Sequence, residues 1–207
     1  MPNRYEAILF DFDGVLVDSE PLHFECWNAT LAPFELSISW DDYVRTCIGV
    51  ADQAMVRQLC HLTGRGDVFD RIWARYPDKK ALFRRRMMEE LLMPPQTVEM
   101  LQNLNGYKLA VVSSSSRTEV EPPLVAAGVR DFLHAIICRE DVTELKPSPE
   151  PYLTAAAKLG VQRALVVEDS DAGLESGRAA GFDVVRIPAA NQTASLVYNA
   201  IQAGNTQ

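Results

Sequence analysis

The sequence predicts an α/β protein: a Rossmann-like parallel sheet with helices on both faces, plus a small all-helical domain inserted after the first strand. Three observations carry that prediction. Short apolar runs alternate with helical patterns of about a dozen residues along most of the chain. Three of those helical patterns stop at a glycine. One long stretch, from about Glu20 to Leu92, breaks the rhythm and holds helical patterns without a convincing strand.

Ala7-Ile8-Leu9-Phe10 is an apolar run that ends on an acidic residue, and it reads as a buried strand. The helical insertion follows, with patterns over His23–Ala32, Ala51–Leu62 and Ala81–Leu92, the last ended by Pro94-Pro95. Hinges are expected near Val17–Ser19 and Leu92–Pro95. Residues 1–17 and 94–207 would then form the α/β core, and residues 18–93 the helical domain. Inside the insertion, Arg84-Arg85-Arg86 beside Glu89 and Glu90 reads as a solvated face with i, i+4 pairing. Trp27, Trp40 and Trp73 read as core of that domain rather than as ligand platforms. Beyond it, strands are expected over Lys108–Val112, Ala135–Cys138, Ala164–Val167 and Asp183–Ile187. The helical patterns between them are Thr118–Ala127, Glu150–Leu159 and Asp171–Ala180, closed by Gly128, Gly160 and Gly181.

The chain has 207 residues, 47% hydrophobic and 23% charged, enough for one sizeable core and a smaller lobe. Its formal net charge of -8 argues against nucleic acid or an anionic membrane surface as a partner. No run approaches the ~20 apolar residues of a membrane span. Cys26, Cys47, Cys60 and Cys138 make no CxxC pair and have no histidine at zinc-site spacing, so they read as reduced, mostly buried thiols. The segment Met1–Val17 is too acidic for a signal peptide. Together these features predict a soluble, cytoplasmic monomer.

Four segments carry chemistry, and each falls just after a predicted strand, where an open parallel sheet forms its ligand crevice. Asp11 and Asp13, in Asp11–Ser19, are two carboxylates one residue apart after a buried strand. They repel each other, and a hard cation such as Mg²⁺ would relieve them; a capping pair in a turn is the plainer alternative. Ser113–Ser116 offer hydroxyls and backbone N–H groups to a phosphate, or simply cap the next helix. Lys146, before Pro147-Ser148-Pro149, sits on a stiff loop and either offsets phosphoryl charge or is an ordinary exposed lysine. Glu168 and Asp169 complete an oxygen cage or cap a helix dipole.

Taken together, the order and context of DFDGVLVDS (11–19), the serine run, Lys146 and EDSDAG (168–173) resemble the haloacid dehalogenase superfamily. The similar subgroup carries a small helical cap after the first strand and includes phosphoglycolate phosphatases and β-phosphoglucomutases. The resemblance covers nearly the whole chain. It implies an enzyme, a phosphatase of small phosphorylated metabolites, with Asp11 as nucleophile and Mg²⁺ ligand. It further implies Asp13 as general acid/base, also giving its backbone oxygen to the metal. Ser113 and Ser114 would bind phosphate, Lys146 would steady nucleophile and phosphate, and Glu168 and Asp169 would bind Mg²⁺. His23 aligns with a cap-hinge histidine that touches the leaving group or gates Asp13; a part-buried helix histidine is the alternative. Mutases of the subgroup place basic residues around a cap glycine, here Gly49 within Cys47–Asp52, and a lysine in the loop that here reads Ser115-Ser116-Arg117. Only Arg45 and Arg117 offer replacements, so hydrolysis is expected over mutase activity.

Overall fold

The structure, a computed structural model, describes residues 3–48, 50–90 and 92–205. Among the described residues five strands form one parallel sheet: β1 (Ala7–Phe10), β2 (Lys108–Val112), β3 (Ala135–Ile137), β4 (Ala164–Glu168) and β5 (Asp183–Arg186). The order is β3-β2-β1-β4-β5, and every pairing is parallel. β1 is fully buried, as a continuous apolar run should be when a sheet is covered on both faces. Phe10 pairs with Val111 on one side and Val167 on the other, so the next residue, Asp11, emerges level with the carboxyl ends of β2 and β4. The direction of strand order reverses beside β1, and crevices open at such a switch point.

By its contacts the chain divides into two compact units, Met1–Asp18 with Leu91–Gln207, and Ser19–Glu90. The helical unit contains α1 (Glu20–Leu31), α2 (Trp40–Thr46), α3 (Asp52–Leu62), α4 (Phe69–Trp73) and α5 (Tyr76–Glu90). Its core gathers Trp27, Leu31, Met55, Val56 and Ile72, all nearly or fully buried. Trp40 departs from expectation: it is 41% exposed, stacked on Tyr43 and edge-on to Phe24. It opens α2 just after the Ser39 cap, where a helix end gives a large ring only one side to cover. Trp73 is half-buried and stacks on Tyr76. The arginine run behaves as a solvated face, with Arg85 paired to Glu89 and Arg86 to Glu90.

The core unit adds α6 (Pro95–Asn103), α7 (Arg117–Ala126), α8 (Glu150–Leu159), α9 (Asp171–Ala179) and α10 (Thr193–Asn205). α8 packs on β1, β2 and β3, α9 on β4 and β5, and α10 against α6 and β5. The sequence reading passed over α6 and α10. Pro95 was expected only to end the preceding helix, yet it starts a new one, where its fixed φ and missing N–H cost nothing. Asp18 N donates to Leu92 O at 3.1 Å, so the two strands of chain that leave and re-enter the core unit are tied together. No helix among the described residues is long and apolar enough to cross a membrane.

Candidate active site

The end of β1 runs straight into a tight loop. Asp11 N donates to Val167 O at 2.9 Å and so extends the ladder by one rung before the chain turns. Gly14 makes that turn at φ +71°, and Gly14 N then donates to Val17 O. A side chain at Gly14 would run into the carboxylate of Asp169, so glycine is needed here for space as well as for backbone angle. At the other end of the site, a Cβ on Gly173 would overlap the carboxylate of Glu168. Two glycines from distant segments therefore leave room for the two acids that follow β4.

Asp11, Glu168 and Asp169 converge: one carboxylate oxygen from each lies within 4.8 Å of the others. Lys146 joins them from a loop whose Lys146–Pro147 peptide is cis. Its Nζ donates to Asp11 Oδ1 (2.6 Å), Glu168 Oε1 (2.5 Å) and Val112 O (2.8 Å). Those three acceptors use all three ammonium protons. Asp13 is held separately, by Ser115 Oγ donating to its Oδ2 at 3.0 Å. Ser113 is buried at the end of β2, and its Oγ accepts from Ser115 N at 3.0 Å. Ser114 is half-buried and gives its carbonyl to Arg139 Nε.

The electrostatics follow from burial. The Asp11 carboxyl is pushed well up, first by desolvation and then by Glu168, with Lys146 opposing. Asp169 is pushed up to about 7 by desolvation and by Glu168. Desolvation works to lower Lys146, but the Asp11 and Glu168 charges outweigh it and the ammonium is held above its ordinary value. One lysine faces three carboxylates, so the cluster has an excess of negative charge. A small divalent cation with oxygen ligands fits that donor set and would discharge it.

The remaining expected residue, His23, belongs to the helical unit. Its Nδ1 lies 2.9 Å from Lys79 Nζ, and its ring stacks on Phe83 at 3.9 Å between centroids. Gly49, the expected cap glycine, lies outside the described residues.

The family model of the haloacid dehalogenase-like hydrolases matches residues 8–187. The chain belongs to this family. Among known relatives of the hydrolase, the fructose-1-phosphate phosphatase YqaB of Escherichia coli is 27% identical, over 90% of this chain and 98% of its own length. The validoxylamine A 7'-phosphate phosphatase of Streptomyces hygroscopicus is 30% identical, over 93% of this chain and 90% of its own. The crystal structure of CbbY from Rhodobacter sphaeroides in complex with phosphate superposes with a TM-score of 0.68 at 26% identity, covering 88% of this chain and 87% of that one.

Three contacts in this haloacid dehalogenase-like hydrolase were not anticipated. Ser115 lay inside the serine run but was not distinguished from its neighbours. Ser170 caps α9 by accepting from Gly173 N, and its Oγ also donates to Glu168 Oε2. Lys79, 2% exposed, reads in sequence as an ordinary helix lysine; it is buried beside His23, Asp52 and Trp27. Of these, Ser170 had a sequence signal, since a serine directly before an expected helix is a common N-cap.

The Ser115 contact makes a first prediction. Ser115→Ala removes a hydrogen bond to a carboxylate, worth about 1.5 kcal/mol, so turnover should fall by about tenfold. Ser115→Thr, which keeps the hydroxyl, should retain most of it. Steady-state kinetics of the two variants check this; equal loss in both would detach Ser115 Oγ from the role of Asp13.

Proposed function

We propose that this protein is a Mg²⁺-dependent phosphatase of a small phosphorylated metabolite, such as a sugar phosphate, working through an aspartyl-phosphate on Asp11. The observation that carries the reading is the Asp11 carboxylate: buried at the end of the central strand, salt-bridged to Lys146 at 2.6 Å, and within 4.8 Å of the Glu168 and Asp169 oxygens. A relative named as a fructose-1-phosphate phosphatase and a neighbour solved with phosphate support the substrate class.

Asp11 attacks phosphorus in line; the Asp11 O–P bond forms as the ester O–P bond breaks. Asp13 gives its proton to the leaving oxygen, then takes one from the water that hydrolyses the acyl phosphate. Ser113 and Ser114 present hydroxyl and backbone donors to the phosphoryl oxygens. Lys146 favours the ionised form of Asp11 against the opposing effect of burial, and offsets phosphoryl charge. Asp11, Glu168, Asp169 and the backbone oxygen of Asp13 would hold Mg²⁺, which supplies positive charge against the phosphoryl oxygens.

Hydrolysis is favoured over phosphoryl transfer between sugars by the state of the two candidate arginines. Arg117 donates to Asp141 Oδ2 at 2.5 Å and to Ile136 O, and lies 3.9 Å from Glu121. Arg45 pairs with Asp42 on its own helix. We place the activity in the cytoplasm, in a monomer; the four thiols are all unpaired, which suits a reducing compartment.

Metal removal is the experiment for this reading. Chelation should abolish phosphate release from a panel of sugar phosphates, and Mg²⁺ should restore it. Mg²⁺ at about 100-fold its Kd should also stabilise the fold by about 2.7 kcal/mol, read as a rise in melting temperature. Full turnover in metal-free buffer would remove the metal from the account.

A further inference from the structure

Tyr152 lies on α8, fully buried beneath the carboxylate cluster. Its hydroxyl donates to Glu168 Oε1 at 2.8 Å, the same oxygen that accepts Lys146 Nζ. Its ring lies under that ammonium, 5.1 Å from Nζ to the ring centroid. Tyr152 therefore touches Lys146 twice, through a shared carboxylate oxygen and through its π face.

The other half of Glu168 is equally committed. Oε2 accepts from Asp169 N (3.1 Å), Ser170 N (3.3 Å) and Ser170 Oγ (3.1 Å). With donors on both oxygens, the carboxylate has one orientation. Among the described residues, the side-chain groups that donate to Oε1 are the hydroxyl of Tyr152 and the ammonium of Lys146. Without that hydroxyl, Oε1 keeps the Lys146 ammonium as its donor and the carboxylate is held from the Oε2 side, which leaves the Lys146–Oε1 contact freer to shift.

We infer that Tyr152 is a positioning residue: through Glu168 and through its ring it aims the Lys146 ammonium at Asp11. The inference rests on the phosphatase reading for its kinetic consequence, but its structural content, the direction of Lys146, does not depend on that reading. Tyr152 touches no reacting atom, so it acts on turnover more than on substrate affinity.

Tyr152→Phe separates the two contacts, because it keeps the ring and deletes the hydroxyl. A hydrogen bond to a charged group sets the scale at about tenfold. We expect kcat to fall by about that factor with KM changed less than about twofold. 4-Aminophenylalanine at position 152 restores a donor and should recover most of the turnover, which keeps the test open if the Phe variant folds poorly. The second readout needs no turnover: the side-chain ammonium resonance of Lys146 in ¹⁵N-lysine protein, assigned with Lys146→Met, should shift or broaden in Tyr152→Phe.

Unchanged kcat in Tyr152→Phe together with an unmoved Lys146 resonance overturns the inference. So does a loss that follows only the fraction of folded protein and is not rescued by the amino analogue. If the wild-type protein releases phosphate from no ester while the resonance still moves, the positioning role stands and the phosphatase reading fails.

Discussion

Asp11→Asn is expected to be inactive with every phosphate ester, a loss on the order of 10⁵–10⁶-fold, the scale of removing a nucleophile that works as a unit with its neighbours. Asparagine has nearly the shape of aspartate, so the rung from Asp11 N to Val167 O and the turn at Gly14 should survive. The amide also removes a charge from a crowded cluster. Burial and Glu168 both raise the Asp11 carboxyl, which means that the ionised form is disfavoured in the fold. The metal-free variant should therefore melt no lower than the metal-free wild type, and the lost activity is lost chemistry. Assays across a substrate panel with melting curves in parallel check both halves.

Asp13→Asn is expected to cut turnover by roughly 10²–10⁴-fold, the span for general acid/base catalysis. Its effect should depend on the leaving group. An aryl phosphate, whose oxygen departs without much help, should still form the adduct, so that the slow step becomes attack by water. An alkyl phosphate needs the proton in the first step and should suffer more. Mg²⁺ affinity should change less than turnover, because the expected ligand at this position is a backbone oxygen. Ser115 Oγ, 3.0 Å from Asp13 Oδ2, can still meet a polar side chain in the variant, so the loop should keep its place. Stopped-flow comparison of the two ester classes tests this; equal losses for both would take Asp13 out of leaving-group protonation.

Much of the fold was legible because β1 to β4 are almost wholly buried and so spell themselves as apolar runs; β5 is exposed at both ends. Ala7–Phe10 and Lys108–Val112 were placed residue for residue, while β3 and β5 stop one residue sooner and β4 one residue later than expected. The helix Glu150–Leu159 was placed residue for residue, whereas α1 and α5 start at Glu20 and Tyr76 rather than at His23 and Ala81, because a terminal turn is set by caps and packing rather than by apolar period. α6 was missed because Pro95 carries two meanings, terminator and starter, and the sequence alone does not choose. α10 follows no strong signal; its first residue, Thr193, is fully buried and donates to Val15 O, a partner 178 positions away.

At the site, the acids were readable because Asp11, Glu168 and Asp169 stand at or just past strand ends, while Lys146, well beyond the end of β3, was readable from the prolines that follow it. Tyr152 was not, since a tyrosine on the apolar side of α8 looks like any other core residue until Glu168 is seen 2.8 Å from its hydroxyl. Lys79 was hidden in the same way. Its neighbours His23 and Asp52 come from other helices, and only the tertiary fold brings them near enough to make burying an ammonium tolerable.

The central claim is that phosphate leaves this protein by way of Asp11. Rapid quench of the wild-type protein with labelled substrate and Mg²⁺, followed by peptide mapping, tests it directly. A reading of Asp11 as nucleophile predicts an acid-stable, base-labile label on the peptide carrying Asp11, formed and lost at rates that match turnover. Single-turnover release of free phosphate from bound substrate, with no label on the protein under conditions able to trap it, would contradict the claim and leave direct attack by water in its place.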